Sequence, residues 1–334
     1  MPAELSISLG ITSTDRTRAI IDGRVGIPGV RLDLRVDEPQ ALFRAGQVGG
    51  ELDVAEMSLG THMLQTDRGN AAYWALPIYL SRAFRHNAIH VRNDRAIASP
   101  ADLNGRRIGV AGFQQTATIW VRGMLAEHYG FDPASVRWVV GGVDKPGHFE
   151  RVSLDGPLRR TIEQAEPDRT LDAMLLSGDI DAIISPAPPP SAHLMGSPVR
   201  PLFADCAAEE RNAFARTGIF PIMHVLGIRK TLADQQLALV PALLSAFSAA
   251  KRLAQDELLK TNYLRVSLPW IAEEARRTQE LMGDNPWSYG FSNNTAALRA
   301  MLRYAQDDGL VGEELTPKAL FHPASLGFTE KSDG

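Results

Sequence analysis

Strand and helix signals alternate over the first sixty residues, and this rhythm leaves few architectures open. Leu5 to Ile11 alternates like a strand, and Ser13 or Thr14 can cap a helix over Asp15 to Ile21. Arg31 to Val36 sets leucines between charges and reads as a second strand; Glu38 to Ala45 reads as a helix. Leu52 to Met57 is a third strand, and Ser58-Leu59-Gly60-Thr61 caps the helix after it. The order β–α–β–α–β predicts a parallel sheet with helices on its faces.

A second stretch of the same grammar runs from Gly105 to Arg122. A tight turn leads into the short apolar strand Ile108–Ala111. A small polar loop follows, Gly112 to Thr116, and then a helical pattern through Trp120 and Leu125. A helix that begins where a strand ends presents free N–H groups and the positive end of its dipole, so it attracts an anion. There is no GxGxxG and no Gly-Lys-Ser/Thr, so neither a dinucleotide nor a nucleoside triphosphate is indicated. The cradle suits a small carboxylate; the competing reading is an ordinary turn between strand and helix.

The remaining pattern fits a second lobe and a return. Ala88–Val91, Val136–Val140, Asp181–Ile184 and Arg200–Phe203 read as strands, and Leu171–Leu176 reads as a helix. The proline-dense segment Pro186–Pro190 excludes helix and central strand. Phe220 to Ile228 is a strand able to carry the chain back to the first lobe. The helices Leu237–Leu259, Ile271–Met282 and Thr295–Asp307 follow. The predicted division is residues 1–100 with 221–334 as lobe 1 and residues 101–220 as lobe 2, a size that suits 334 residues.

Composition narrows the partners. A net charge of −4 gives no reason to expect nucleic acid or an anionic membrane. Cys206 is the single cysteine, which excludes an intramolecular disulfide and argues against a cysteine-based zinc site. Glu4, Asp15 and Arg16 interrupt any secretory leader, and the apolar run near Leu237–Ala250 is too short to span a bilayer and carries Pro241. A cytoplasmic protein is expected. A homo-oligomer is compatible with the sequence.

Pro100-Ala-Asp-Leu before Gly105-Arg-Arg-Ile-Gly-Val, together with Leu176-Ser-Gly-Asp-Ile-Asp-Ala-Ile, resembles the lobe crossover of type II periplasmic-binding-protein-like folds. More narrowly, Ser81-Arg-Ala-Phe-Arg-His86, Gln115-Thr-Ala, Trp120-Val-Arg-Gly123 and Glu127-His-Tyr-Gly130 resemble the 4,5-dihydroxyphthalate decarboxylase family, over a likeness running from Leu5 to about Gly327. The resemblance implies a two-lobed α/β fold with its ligand in the cleft between lobes. It also implies decarboxylation of a hydroxylated benzene-dicarboxylate, 4,5-dihydroxyphthalate giving protocatechuate and carbon dioxide. The chain departs from the family's pattern at Pro186-Ala187-Pro188, where such proteins often carry a charged or bulky residue; Ala187 would enlarge the pocket or remove a contact. The alternative is a non-catalytic solute-binding protein, which the lack of a leader disfavours; a third is another small-molecule lyase, or an enzyme of pyrimidine-type precursor synthesis, on the same fold.

This chemistry needs clamps for the carboxylates, a general acid for the ring carbon and partners for the phenol oxygens. Arg85 is expected to clamp a carboxylate; Arg82 is either a second clamp or a solvated charge. His86 is a candidate proton donor whose neighbouring cation lowers its pKa, against a structural histidine. His224, on the predicted return strand, is a second candidate acid, against a satisfied core histidine. Gln115 and Thr116 are expected to bind a carboxylate or phenol oxygen. Arg122 lies nearly two turns further along and either joins them or anchors the helix, and Trp120 is core. His148 and Glu150 lie in a glycine-rich loop after a strand, where site residues concentrate; their His-x-Glu spacing is too weak to commit to a metal site. Ser58 either contacts the ligand or caps its helix. No organic cofactor is expected, because the phenol ring itself can accept the electrons, and no divalent metal is indicated.

Overall fold

Burial along Leu5–Ile11 deepens toward its carboxyl end, where Leu9, Gly10 and Ile11 are all buried, and this strand anchors the first of two sheets. The computed structural model describes residues 4–147, 150–154 and 158–330. Contacts divide the chain into two compact units. The first is Met1–Arg82 with Ile222–Leu298 and Thr316–Gly334; the second is Ala83–Pro221 with Arg299–Leu315.

The first unit starts with β1 (Leu5–Ile11), α1 (Asp15–Ile21), β2 (Val30–Val36), α2 (Pro39–Phe43), β3 (Val54–Ser58), α3 (Leu59–Asp67) and β4 (Tyr73–Arg82). A π-helical turn, Arg44–Val48, extends α2. The second unit holds β5 (Ile89–Arg92), β6 (Arg107–Val110), α4 (Thr116–His128), β7 (Arg137–Val140), β8 (Thr161–Gln164), α5 (Leu171–Ser177), β9 (Ala182–Ile184), β10 (Val199–Pro201) and α6 (Cys206–Thr217). The chain then returns through β11 (Ile222–Arg229), α7 (Lys230–Gln235), α8 (Leu239–Leu258) and α9 (Ile271–Met282). It ends with α10 (Thr295–Asp307), whose residues from Arg299 onward belong to the second unit.

The first sheet has the order β2-β1-β3-β11-β4. β1 runs parallel to β2 and β3, while β11 lies antiparallel between β3 and β4. Every residue of β3 is buried, as expected of a strand covered on both faces. The second sheet has the order β10-β5-β9-β6-β7-β8, with β6 parallel to β7 and β9. Val139, Leu171, Leu175, Ile180 and Ile183 pack as its core on the α5 face.

Three differences from the sequence reading have physical causes. β4 is a strand of ten residues that includes Pro77; it escapes the pattern because proline breaks a ladder, and it is allowed here because β4 is an edge strand. Ile89–Arg92 pairs with Ala182–Ile184 and with Val199–Pro201, so the second unit begins at Ala83 and not near residue 100. Arg299–Leu315 is also drawn into that unit, away from the C-terminal segment around it. Three further elements, β8, α6 and α7, lie outside the sequence pattern.

Buried polar groups fasten the returning segments of the first unit. His62 Nε2 donates to the Leu320 carbonyl at 2.8 Å, and Lys251 Nζ meets Glu330 Oε2 at 2.8 Å with both side chains buried. Burial pushes the His62 imidazole from 6.5 down to about 4, partly opposed by the Leu320 carbonyl, so it is neutral at pH 7. The unfolded chain binds a proton at this residue below about pH 6.5 that the folded chain refuses until about pH 4. Stability therefore falls as pH drops through that window, by up to about 3 kcal/mol from this group. In urea titrations across pH 4–7, His62→Gln, which keeps a donor for Leu320, is expected to flatten the slope by close to one proton.

Candidate active site

The carboxyl edge of parallel strands is where an α/β sheet binds its ligand. In the first unit, β1 ends at Ile11, just before Thr12, and β3 ends at Ser58, which caps α3 by accepting the Thr61 N–H. β11 sets His224 directly opposite Ser58 in register. The same residue faces Ser81 of β4, and the β4 register shifts on both sides of that pair, an irregularity of the kind that re-aims side chains beside active sites. His224 Nδ1 lies 2.6 Å from Glu56 Oε1, and the Thr12 N–H donates to Glu56 Oε2 at 2.9 Å. Gln47, in the π-helical turn, accepts the Ser58 N–H and donates to the Ser58 carbonyl, each at 3.0 Å, standing in for a missing strand neighbour. The His224 side chain remains 18 % exposed whereas Glu56 is 3 % exposed, so the imidazole is the part of this cluster that meets solvent.

In the second unit, β6 ends in the loop before α4, and an anion does occupy that helix N-terminus. It is the carboxylate of Glu150, which accepts the Phe113 N–H and, at 3.4 Å, the Gln114 N–H. Gly112 has no side chain to crowd this carboxylate. Gln115 is the N-cap of α4, half-buried, and Thr116 is buried beside it. His148 lies outside the described residues.

His86 and Arg82 have partners of their own. His86 Nε2 meets the Tyr129 hydroxyl at 2.9 Å, and that hydroxyl donates to Glu209 at 2.6 Å. Tyr129 follows the last turn of α4, so His86 sits at the opposite end of a 13-residue helix from Gln115, a separation of about 20 Å. Burial drives the His86 imidazole down to about 4, the Glu209 carboxylate partly opposing, which leaves it neutral at pH 7. Burial also lowers Arg85, against the pull of Glu210. Arg82 is buried, with Nη2 donating to the Ser288 carbonyl at 2.9 Å and to Asn294 Oδ1.

Arg122 is an anchor. Its Nε donates to Asp308 Oδ2 at 2.7 Å and its Nη2 to the Phe113 carbonyl at 2.9 Å. Arg160 completes the group on Asp308 Oδ1 at 3.0 Å. Trp120 packs edge-on against Tyr304, and a methyl group on Gly123 would collide with the same ring. Tyr304 and Arg303 both donate to Glu127. One face of α4 thus receives the end of α10. A cavity of about 370 Å³ lies along this face, and its arginines Arg122, Arg160 and Arg303 pair with Asp308 and Glu127. Among the described residues, no group of three or more His, Cys, Asp or Glu is disposed to hold a metal, and no helix is long and apolar enough to cross a membrane.

Residues 80–151 match the family described as NMT1/THI5 like. A 4,5-dihydroxyphthalate decarboxylase of Comamonas testosteroni is 40 % identical over 325 residues, covering 97 % of this chain and 98 % of that protein. The chain belongs to the 4,5-dihydroxyphthalate decarboxylase family. A second member, from Pseudomonas putida, is 39 % identical over 195 residues, 58 % of this chain and 75 % of that one. The family's fold is that of the periplasmic aliphatic sulphonate binding protein SsuA from Escherichia coli. That structure is 12 % identical, covers 100 % of this chain and 95 % of its own, and superposes with a TM-score of 0.55. Glu56 is the residue that sequence reasoning missed in this decarboxylase-family chain. The signal was a lone carboxylate inside an otherwise apolar strand, since buried charges are rare unless paired.

The assignment of Arg122 as an anchor has a thermodynamic consequence. Asp308→Ala leaves two arginines in the second unit without their carboxylate, Arg122 at 1 % exposure. Unfolding free energy is expected to fall by about 3–5 kcal/mol, measured by denaturant titration.

Proposed function

We propose that this protein removes one carboxylate of 4,5-dihydroxyphthalate, giving protocatechuate and carbon dioxide. The observation that carries this reading is near-full-length identity of 40 % to a protein named for that activity. The chemistry asks for a proton at the ring carbon that bears the leaving carboxylate. The hydroxyl para to that carbon supplies electron density as the proton arrives. The C–C pair then returns to the ring as carbon dioxide departs, so one proton enters and one carbon dioxide leaves.

We assign the proton to His224. It is partly exposed at the carboxyl edge of β1 and β3, with the Ser58 and Thr12 positions around it, whereas His86 is buried and neutral. Ser58, Gln115 and Thr116 are proposed to hold substrate oxygens. Glu150 is proposed to mark the carboxylate cradle at the α4 N-terminus, which a substrate carboxylate would share or take over. Arg82 is proposed only to shape the surroundings, since it is buried and donates to Ser288 and Asn294, whereas half-buried Arg85 is proposed as a carboxylate clamp. A reducing compartment such as the cytoplasm suits the free thiol of Cys206.

A second copy of the chain is proposed as partner. Leu259, Tyr263, Leu264, Val266, Leu268 and Trp270 are exposed within twelve consecutive positions, Trp270 at 76 %. Trp270→Glu is expected to shift the mass in light scattering from oligomer to monomer; a wild-type monomer sinks this assignment.

The activity is tested by incubating the purified protein with 4,5-dihydroxyphthalate and following carbon dioxide release. Turnover is expected, and binding without turnover overturns the reading. His224→Asn is expected to lower kcat by about 100- to 10,000-fold, the usual contribution of a general acid, and His86→Asn by far less. The reverse ranking would move the proton donor to the second unit.

A further inference from the structure

A histidine that gives up a proton must present one defined nitrogen, and three contacts in the first unit restrict which one. Glu56 accepts and cannot donate when ionised, so Nδ1, at 2.6 Å from its Oε1, is the N–H. The second Glu56 oxygen is held by the Thr12 N–H at 2.9 Å, which stops the carboxylate from swinging away. The Phe43 ring meets the imidazole edge-on at 4.9 Å and 88°, closing the space into which the ring would turn. Nε2 makes no hydrogen bond among the described residues.

Burial alone would raise the Glu56 carboxyl. The hydrogen bond and charge of His224 and the Thr12 N–H outweigh it, and the group ends below its usual 4.5. Glu56 is therefore a carboxylate at neutral pH, although only 2 % of it is exposed. Nothing else in the sheet requires a charge there, because β3 is otherwise a strand that apolar residues could fill.

We propose that Glu56 is a positioning residue that fixes His224 in its Nδ1–H form and leaves Nε2 as the atom through which the proton reaches the substrate ring. The inference rests on His224 being the proton donor. In the step itself Nε2 has first taken a proton from solvent, so the donor is the imidazolium; its Nε2–H bond breaks, a C–H bond forms at the ring carbon, and the neutral Nδ1–H imidazole is left. The electron pair of the C–C bond to the leaving carboxylate returns to the ring, carbon dioxide departs, and solvent restores the proton on Nε2. The carboxylate of Glu56 keeps its charge throughout and touches no substrate atom, like the orienting carboxylate of a Ser-His-Asp triad.

Two measurements test this. In wild-type protein, nitrogen-15 NMR of the histidine side chains, with His224 assigned by its loss in His224→Asn, should show neutral His224 as the Nδ1–H tautomer. In Glu56→Gln, which keeps size but loses charge, the Nε2–H tautomer should gain population, and kcat should fall at least about 100-fold with KM changed less than about threefold. Glu56→Asp should recover part of that rate. A purely structural Glu56 would instead lower thermal stability while kcat per folded molecule stayed within about threefold, and that result overturns the proposal. A wild-type Nε2–H tautomer overturns it as well, without any variant having to fold. If wild-type protein binds but does not decarboxylate the dihydroxyphthalate, the functional reading fails, and the tautomer measurement still decides whether Glu56 orients His224.

Discussion

The first sheet is completed by the strand that arrives last. β11 is threaded between β3 and β4, and this insertion brings His224 to Glu56 across 168 positions of sequence. A slip of one residue would turn His224 to the other face and leave the Glu56 carboxylate buried without a partner, which costs far more than a well-made pair contributes. The pair therefore acts on register more than on net stability. His62 with Leu320 and Lys251 with Glu330 repeat the device for the segments that close the first unit. In each case a buried polar group can be satisfied by only one arrangement of chain that is distant in sequence.

The second unit solves the same problem with a helix. Its continuity is broken by the excursion of the chain after Pro221, and Arg299–Leu315 is recovered by one face of α4. Trp120, Arg122, Gly123 and Glu127 form that face, receiving Tyr304, Asp308 and Arg303. Gly123 is required because the Tyr304 ring lies where a Cβ would stand. The Trp-x-Arg-Gly motif that resembles the decarboxylase family is thus explained by packing. A motif that identifies a family need not touch its chemistry.

Local order was readable wherever local forces dominate. β1, α1, α9 and α10 fall on the expected residues because alternation, a capping threonine or an amphipathic period sets them without distant help. β4 was hidden by Pro77, whose tolerance depends on the strand being at an edge, a property of the whole sheet. The assignment of Arg299–Leu315 to the second unit was hidden for the same reason, since it follows from Arg122 and Asp308 meeting across 186 positions. At the candidate site, Ser58 was legible as a strand-end residue and His224 as a residue of the return strand. Glu56 was not, because its role exists only once β11 is in place. His86 was drawn in by its neighbours in sequence, and the fold carries it to the far end of α4.

Three histidines show how burial and hydrogen-bond partner together decide what the residue can do. His62 faces a backbone carbonyl and His86 a phenol hydroxyl, with the Glu210 carboxylate 3.9 Å from the His86 Nδ1, and burial drives both imidazoles down to about 4. They are neutral hydrogen-bonding spacers at pH 7. His224 is the one of the three whose Nδ1 meets a carboxylate at hydrogen-bond distance, 2.6 Å, and it is also the one left partly open to solvent. A carboxylate placed behind an exposed imidazole has little value for packing, since an apolar pair would fill β3 and β11 equally well. Its retention at the carboxyl edge of the parallel strands is accounted for when the imidazole must hand over a proton from one fixed nitrogen.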